Sequence, residues 1–281
     1  AGCIAPILPP AMPLVLFGVV AQLSITKLFF TGIFPGLIMA LSLVITWKIV
    51  ARKDFANSPK SSFDGRALLR SLREAIWALT LPIIIIGGMK SGIFTPTEAA
   101  VVAAVVALLV SVFIYRGMKF PDLPKLLLQA AKTSSSIMLI VAASMVSAWL
   151  ITIADIPAQV TAMMGPFMDN KLMLMVVLMV LVYAVGTALD LAPTVLILTP
   201  VIMPLVKQAG IDPYYFGIMF MMNNAIGLIT PPVGTVLNVV SSIARVNLDT
   251  VIKGMFPFLI AETMVMFLLV LFPKLVTIPA R

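Results

Sequence analysis

Asp190 is the side chain hardest to explain as plain structure in this 281-residue chain. It is the only carboxylate between Lys171 and Val206, and it stands in Gly186-Thr187-Ala188-Leu189-Asp190-Leu191-Ala192-Pro193-Thr194, a glycine- and proline-bearing interruption of an apolar run. At membrane depth a charge is costly unless paired, so a cation partner is expected. A second interruption, Asn223-Asn224-Ala225-Ile226-Gly227-Leu228-Ile229-Thr230-Pro231-Pro232-Val233-Gly234-Thr235, carries two prolines that remove backbone donors. Unwound backbone of this kind is tolerated in hydrocarbon only beside protein or a wet cavity. Hard cations take oxygen ligands. Carbonyls of Gly186, Thr187, Gly227 and Val233, with the Thr187 and Thr230 hydroxyls, would supply them around Asp190. The chain has no histidine and a single cysteine, Cys3, so soft and imidazole ligands are missing and sodium fits better than a transition metal. Disulfide frameworks and histidine acid–base chemistry are excluded with them.

The second interruption has a counterpart at the start of the chain. Ile4-Ala5-Pro6-Ile7-Leu8-Pro9-Pro10 lies in register with Ile226-Gly227-Leu228-Ile229-Thr230-Pro231-Pro232, an offset of 222 that also pairs Gly32 with Gly254 and Phe34-Pro35 with Phe256-Pro257. Paired, interrupted hydrophobic segments in corresponding halves point to a transporter's binding site. Asn224, Thr230, Pro231 and Thr235, with Pro9 and Pro10 of the first copy, are the expected substrate contacts. Half-helices starting after Pro193 and Pro232 would offer their N-termini to an anion. Because Ala1 already stands inside a motif, the chain reads as the C-terminal part of a longer protein, with one repeat only partly present.

These residues need helices to hold them. Hydrophobic residues make up 61% of the chain and charged residues 11%, against roughly 45–50% and 25% in soluble domains. The expected fold is an all-α polytopic membrane protein. The net charge of +8 does not point to nucleic acid, because the basic residues fall in short loops between apolar runs, where they set topology. Residues 1–23 read as the end of a first-repeat transport segment with an unwound helix. Residues 24–132 read as mainly scaffold: a polar step at 24–27, spans at 33–47, 76–88 and 99–115, and a basic cytoplasmic loop at 48–73. Within that loop 66–77 places Arg66, Arg70 and Arg73 on one face, as in an interfacial helix or an ordinary cytoplasmic one. Thr95-Pro96-Thr97-Glu98 reads as a capping box behind a first-turn proline, with a buried or gating role for Glu98 as the alternative. Residues 133–170 hold a span at 134–152 and an outer loop with Asp155 and Asp169. Residues 171–245 hold the second-repeat hairpin and unwound helix, and 246–281 a last span at 256–272 and a tail.

The hairpin halves, 172–186 and 195–206, fall short of the ~20 residues of a comfortable span. They read as a re-entrant hairpin with Asp190 at its tip, or as two spans with Asp190 at the inner surface. Counting crossings puts Lys27 outside and Lys253 inside, so the two copies are antiparallel, as in an inverted repeat.

These stretches resemble the large membrane subunit of the tripartite ATP-independent periplasmic (TRAP) transporters. The matching residues are Gly92-Ile93-Phe94-Thr95-Pro96-Thr97-Glu98-Ala99-Ala100, 186–200, Ile226-Gly227-Leu228-Ile229-Thr230-Pro231-Pro232-Val233-Gly234, Ile211-Asp212-Pro213 and Phe256-Pro257-Phe258. The resemblance covers essentially the whole chain. It implies a multi-pass protein of the bacterial inner membrane that imports a small organic acid (sialic acid, a sugar acid or a C4-dicarboxylate) with Na+, by an elevator mechanism and without enzymatic activity. Its partners would be the lipid bilayer, a small TRAP membrane subunit and a periplasmic substrate-binding protein. That family's large subunit has a further N-terminal part with a first hairpin, so one sodium site would be incomplete in this chain. In the elevator reading, 172–244 and 1–23 move while the spans between 33 and 115 stay fixed.

Other classes compete. An ion channel needs a continuous polar pore, which two opposed discontinuities do not suggest, and a non-TRAP anion:sodium symporter would share many of these features. An intramembrane enzyme needs a nucleophile and a base, and Cys3 and Ser91 have no histidine partner.

Overall fold

A computed structural model of the protein describes residues 2–52 and 64–277. Part of the basic loop at 48–73 and the end of the tail thus lie outside the described residues. Everything described is helix or connection, without a strand. In chain order the helices are α1 (Met12–Ala21), α2 (Ile25–Val50), α3 (Gly65–Lys90), α4 (Pro96–Leu109, continued by a π-helical turn, Val110–Ile114), α5 (Leu123–Ile153), α6 (Ile156–Met163), α7 (Lys171–Ala188), α8 (Leu191–Gln208), α9 (Pro213–Gly227), α10 (Thr235–Ala244), α11 (Leu248–Leu271) and α12 (Pro273–Thr277). Seven helical segments among the described residues are long and apolar enough to cross a membrane. The protein is an all-α polytopic membrane protein.

Two compact units divide it, Ala1–Arg52 with Ile140–Arg281, and Lys53–Leu139. The larger is built around α9. Asp212 caps that helix by accepting from the Tyr214 and Tyr215 amides, and Pro213 occupies the first turn, where no amide donor is required. Every residue from 215 to 227 is buried, because α1, α2, α7, α8, α11 and α12 all pack against α9. An all-round apolar helix needs such a position. Phe17 of α1 and Phe216 meet the Phe220 ring at centroid distances of 5.7 and 5.8 Å, and the Tyr215 hydroxyl donates to the Leu269 and Val270 carbonyls of α11.

The repeat is visible in the backbone. Each copy runs from an irregular segment with a cis Pro-Pro bond (Pro9-Pro10, Pro231-Pro232) into a ten-residue helix, α1 or α10. A left-handed residue, Gln22 or Arg245, then leads into a long helix with a proline inside it, Pro35 or Pro257. Proline and glycine partners keep the offset of 222, while helix starts match at 223, a difference within the uncertainty of helix ends. The two long helices, α2 and α11, pack on one another.

Several sequence expectations change. The polar step and the span at 33–47 form one helix that begins at Ile25, because the Ser24 hydroxyl accepts from the Lys27 amide and starts it early. The segments 66–77 and 76–88 are likewise one 26-residue helix, α3, capped by Asp64, so the arginine-bearing stretch continues a candidate span and is not a separate interfacial helix. The span expected at 134–152 extends back to Leu123, and the segment expected as an outer loop contains α6. The hairpin halves reach 18 residues each, and the break narrows to Leu189-Asp190. Pro193 falls in the first turn of α8 and costs no hydrogen bond there, so the helix starts before it. In the smaller unit α3 packs on α4, the Tyr115 hydroxyl donates to the Glu74 carbonyl at 2.6 Å, and Thr95 and Glu98 form the expected capping box.

The repeat partners Gly32 and Gly254 have different surroundings. A Cβ on Gly32 would lie 2.7 Å from the Ile7 carbonyl oxygen of the first broken segment, whereas one on Gly254 would meet nothing within 4 Å. Gly32→Ala should therefore destabilise the purified protein by about 1–3 kcal/mol, as overpacking does. Gly254→Ala should leave it unchanged or slightly firmer, since alanine is the better helix former. Thermal unfolding in detergent of the two variants measures the contrast.

Candidate functional site

The two sequence interruptions meet where α7 crosses α9. Asn223 donates from Nδ2 to the Met179 carbonyl at 2.6 Å, tying the helices one contact before their ends. At the ends, a Cβ on Gly227 would stand 2.6 Å from the Gly186 carbonyl oxygen and 3.4 Å from its Cα. Only glycine permits that approach. The Asn224 side chain faces the same point, its Oδ1 3.9 Å from where a Cβ of Gly186 would lie. Three expected residues, Gly186, Gly227 and Asn224, are thus brought together.

The electrostatics of this crossing lie in oxygens. Asn223 and Asn224 are 0% and 2% exposed, their amide nitrogens are engaged with Met179 and Phe220 carbonyls, and both Oδ1 atoms lack a hydrogen-bond partner. A buried unmatched acceptor costs about 1–3 kcal/mol. Beside the ends of two helices, whose last carbonyls have no intrahelical donors, such acceptors suit a hard cation. Sequence reasoning placed Asn224 with the substrate and gave Asn223 no role; the structure turns the Asn224 acceptor toward the proposed ion ligands. Among the described residues no group of three or more Cys, Asp or Glu side chains could hold a metal ion, so any ion here would rest mainly on carbonyl and amide oxygens.

The other expected ligands are more distributed. Thr187 and Thr230 donate their hydroxyls to the Ala184 and Ile226 carbonyls at 2.8 Å, which leaves the hydroxyl lone pairs available. The Gly227 carbonyl accepts from the Thr230 amide, and that of Val233 from Asn238 Nδ2. Asp190 is exposed at the N-cap of α8, and its carboxylate makes no capping bond, while its carbonyl accepts from the Thr194 amide and hydroxyl. Its charge therefore already sits at the positive end of α8. The helix begins at Leu191 and not after Pro193, so the terminus expected to face an anion carries Asp190 at its cap.

Of the expected substrate contacts, Pro10 is exposed and Pro9, Pro231 and Thr235 are half-buried, with Thr235 opening α10 behind the left-handed Gly234. The first copy does approach the second: a Cβ on Gly2 would meet Val236 Cγ1 at 3.0 Å. Between the copies lies a cavity of about 550 Å³ bounded by Cys3, Ile4, Val44, Ile229, Val236 and Phe258 among others. No charged side chain lines it, and Pro9, Pro10 and Thr235 are outside its wall. Glu262, fully buried on α11, was not singled out from sequence, although a carboxylate inside an apolar span is itself a signal.

Residues 1–275 match the family described as the tripartite ATP-independent periplasmic transporter, DctM component. The 2,3-diketo-L-gulonate TRAP transporter large permease protein of Escherichia coli K12 is 49% identical over all of this chain and 66% of its own length. The C4-dicarboxylate large permease of Pseudomonas aeruginosa is 37% identical over 92% of the chain and 60% of its own length. The sialic acid large permease of Vibrio cholerae is 34% identical over 98% and 64%. The chain thus spans just under two thirds of the length of these relatives. It belongs to the DctM component family of TRAP transporters, a family of membrane permeases and not of enzymes.

The Gly186–Gly227 crossing makes an asymmetric prediction. Gly227→Ala should force α7 and α9 apart and lower the unfolding temperature, because the obstacle is backbone. Gly186→Ala faces only the Asn224 side chain at ordinary contact distance and should fold normally. Equal melting temperatures for the two variants would show that the close approach carries no weight.

Proposed function

We propose that this chain forms part of a sodium-coupled importer of a small carboxylic acid in the bacterial inner membrane, working with a small membrane subunit and a periplasmic substrate-binding protein. The observation that carries the reading is the glycine crossing with two buried, unmatched amide oxygens beside two interrupted helices. Sodium would be held by the Asn224 Oδ1 and the carbonyls of Gly186 and Thr187, with the Thr187 and Thr230 hydroxyls at hand and Asp190 supplying long-range negative charge. Bound there, the ion would neutralise the acceptors that otherwise stand unmatched. It would also fix the ends of α7 and α9 together and so favour the anionic substrate nearby.

Relatives that carry 2,3-diketo-L-gulonate, C4-dicarboxylate and sialic acid in their names share a carboxylate, and a sugar acid is the first substrate to test. The apolar cavity between the copies offers no partner for a carboxylate, so recognition of the particular acid falls to the delivering protein. For transport we propose an elevator in which 171–245 and 1–23 carry ion and substrate together. The packing of α1 on α8 and of α9 on α1, α7 and α8 joins these segments, and α9 packs on α2 and α11 as well.

Uptake of labelled sugar acid into proteoliposomes containing the complete complex should require an inward sodium gradient. Asp190→Asn should weaken the sodium dependence with little loss of fold; identical uptake across a sodium titration would remove Asp190 from the ion's surroundings. Flux without substrate coupling would instead indicate a channel.

A further inference from the structure

The core of the larger unit holds a carboxyl group that the sodium reading does not use. Glu262 is 0% exposed, near the middle of the apolar helix α11, and neither of its carboxyl oxygens has a hydrogen-bond partner among the described residues. The Ser42 hydroxyl of α2 lies beside it, short of hydrogen-bonding geometry, and the buried Cys3 thiol of the first broken segment is nearby. Phe258 and Met255, one and two turns earlier on the same face of α11, line the cavity between the two copies, as does Cys3. The carboxyl group therefore stands behind that cavity's wall.

An isolated carboxylate in a dry interior is too costly to persist and must take up a proton or a cation. Charged and titratable side chains on the elements packed against α11 are Lys27 and Lys48 of α2, Lys171 and Tyr183 of α7, Tyr214 and Tyr215 of α9, and Lys274 of α12; α10 has none. None bonds Glu262, and the ion pair of Arg70 with Glu74 belongs to the other unit. Lys171 is held by the Gly210 carbonyl and Tyr215 by those of Leu269 and Val270. The described residues around it show no cluster of acidic side chains, and α11 is continuous helix at Glu262, without the interrupted backbone that frees carbonyl oxygens at the glycine crossing. A lone carboxyl group of this kind suits the smallest cation.

We propose that Glu262 is a proton-binding site of the membrane-embedded unit, exchanging its proton through the cavity that the broken segments line together with α2, α10 and α11. The site is separate from the glycine crossing and does not depend on the sodium assignment. Its proton would leave when the first broken segment, with Cys3, draws away from α11 and water reaches the carboxyl group.

Dicyclohexylcarbodiimide partitions into apolar interiors and adds only to protonated carboxyl groups, so it reads this occupancy directly. In the complete complex, peptide mass spectrometry should find Glu262 modified, with the label lost as pH rises and unaffected by sodium at fixed pH. Infrared difference spectra should show a protonated-carboxyl band that disappears in Glu262→Gln. If that variant fails to fold, Glu262→Asp should shift the band instead. Protection of Glu262 by sodium at constant pH would overturn the proposal in favour of a metal-cation site, and so would the absence of any band that responds to these substitutions. A band without labelling supports it, with the site closed to the reagent.

Discussion

Backbone carbonyls and amides that leave a helix inside apolar surroundings must find other partners, and the larger unit is arranged around that requirement. Helix α9 ends at Gly227 in the interior, and the residues after it turn back on themselves: the Leu228, Ile229 and Thr230 amides return to the carbonyls of Asn224, Ile226 and Gly227. The Val236 amide closes the loop on Leu228. A helix end of this kind survives because six other helices shield α9, and because the turn consumes most of its own polar groups.

What the turn does not consume becomes chemistry. The two asparagines spend their donors on neighbouring carbonyls and keep their acceptors, so the interior gains negative partial charge without a carboxylate. Glycine at 227 lets the end of α9 approach the backbone of α7 at Gly186 to the limit of contact, concentrating carbonyl dipoles where a side chain would have diluted them. Acceptors on amides and carbonyls would suit a weakly held monovalent ion. Glu262 follows the opposite arrangement, with a full carboxyl group and no donor bonded to it.

The repeat gives this economy a second use. The same succession of Pro-Pro segment, short helix, left-handed residue and proline-bearing long helix is built twice, and the long helices α2 and α11 pack together. The copies are not equivalent in their surroundings. Gly32 is pressed against the first broken segment while Gly254 faces open space, so one pattern of sequence serves a buried contact in one copy and an exposed helix face in the other.

Composition and apolar run length determined, from sequence alone, that the chain is a helical membrane protein. Breakers in matching register marked the repeat and both interruptions, and Thr95 and Glu98 declared their capping box, because each of these properties is local. Helix ends were less legible: whether a polar residue starts a helix, as Ser24 and Asp64 do, or interrupts one depends on which bonds its side chain finds. Tertiary packing alone decided that Gly186 meets Gly227, that the Asn224 acceptor faces them, and that Glu262 is left without a partner. Such pairings join residues some 40 positions apart in sequence, and no periodicity encodes them. They follow from the crossing of helices, where the size of one side chain determines what the next can reach.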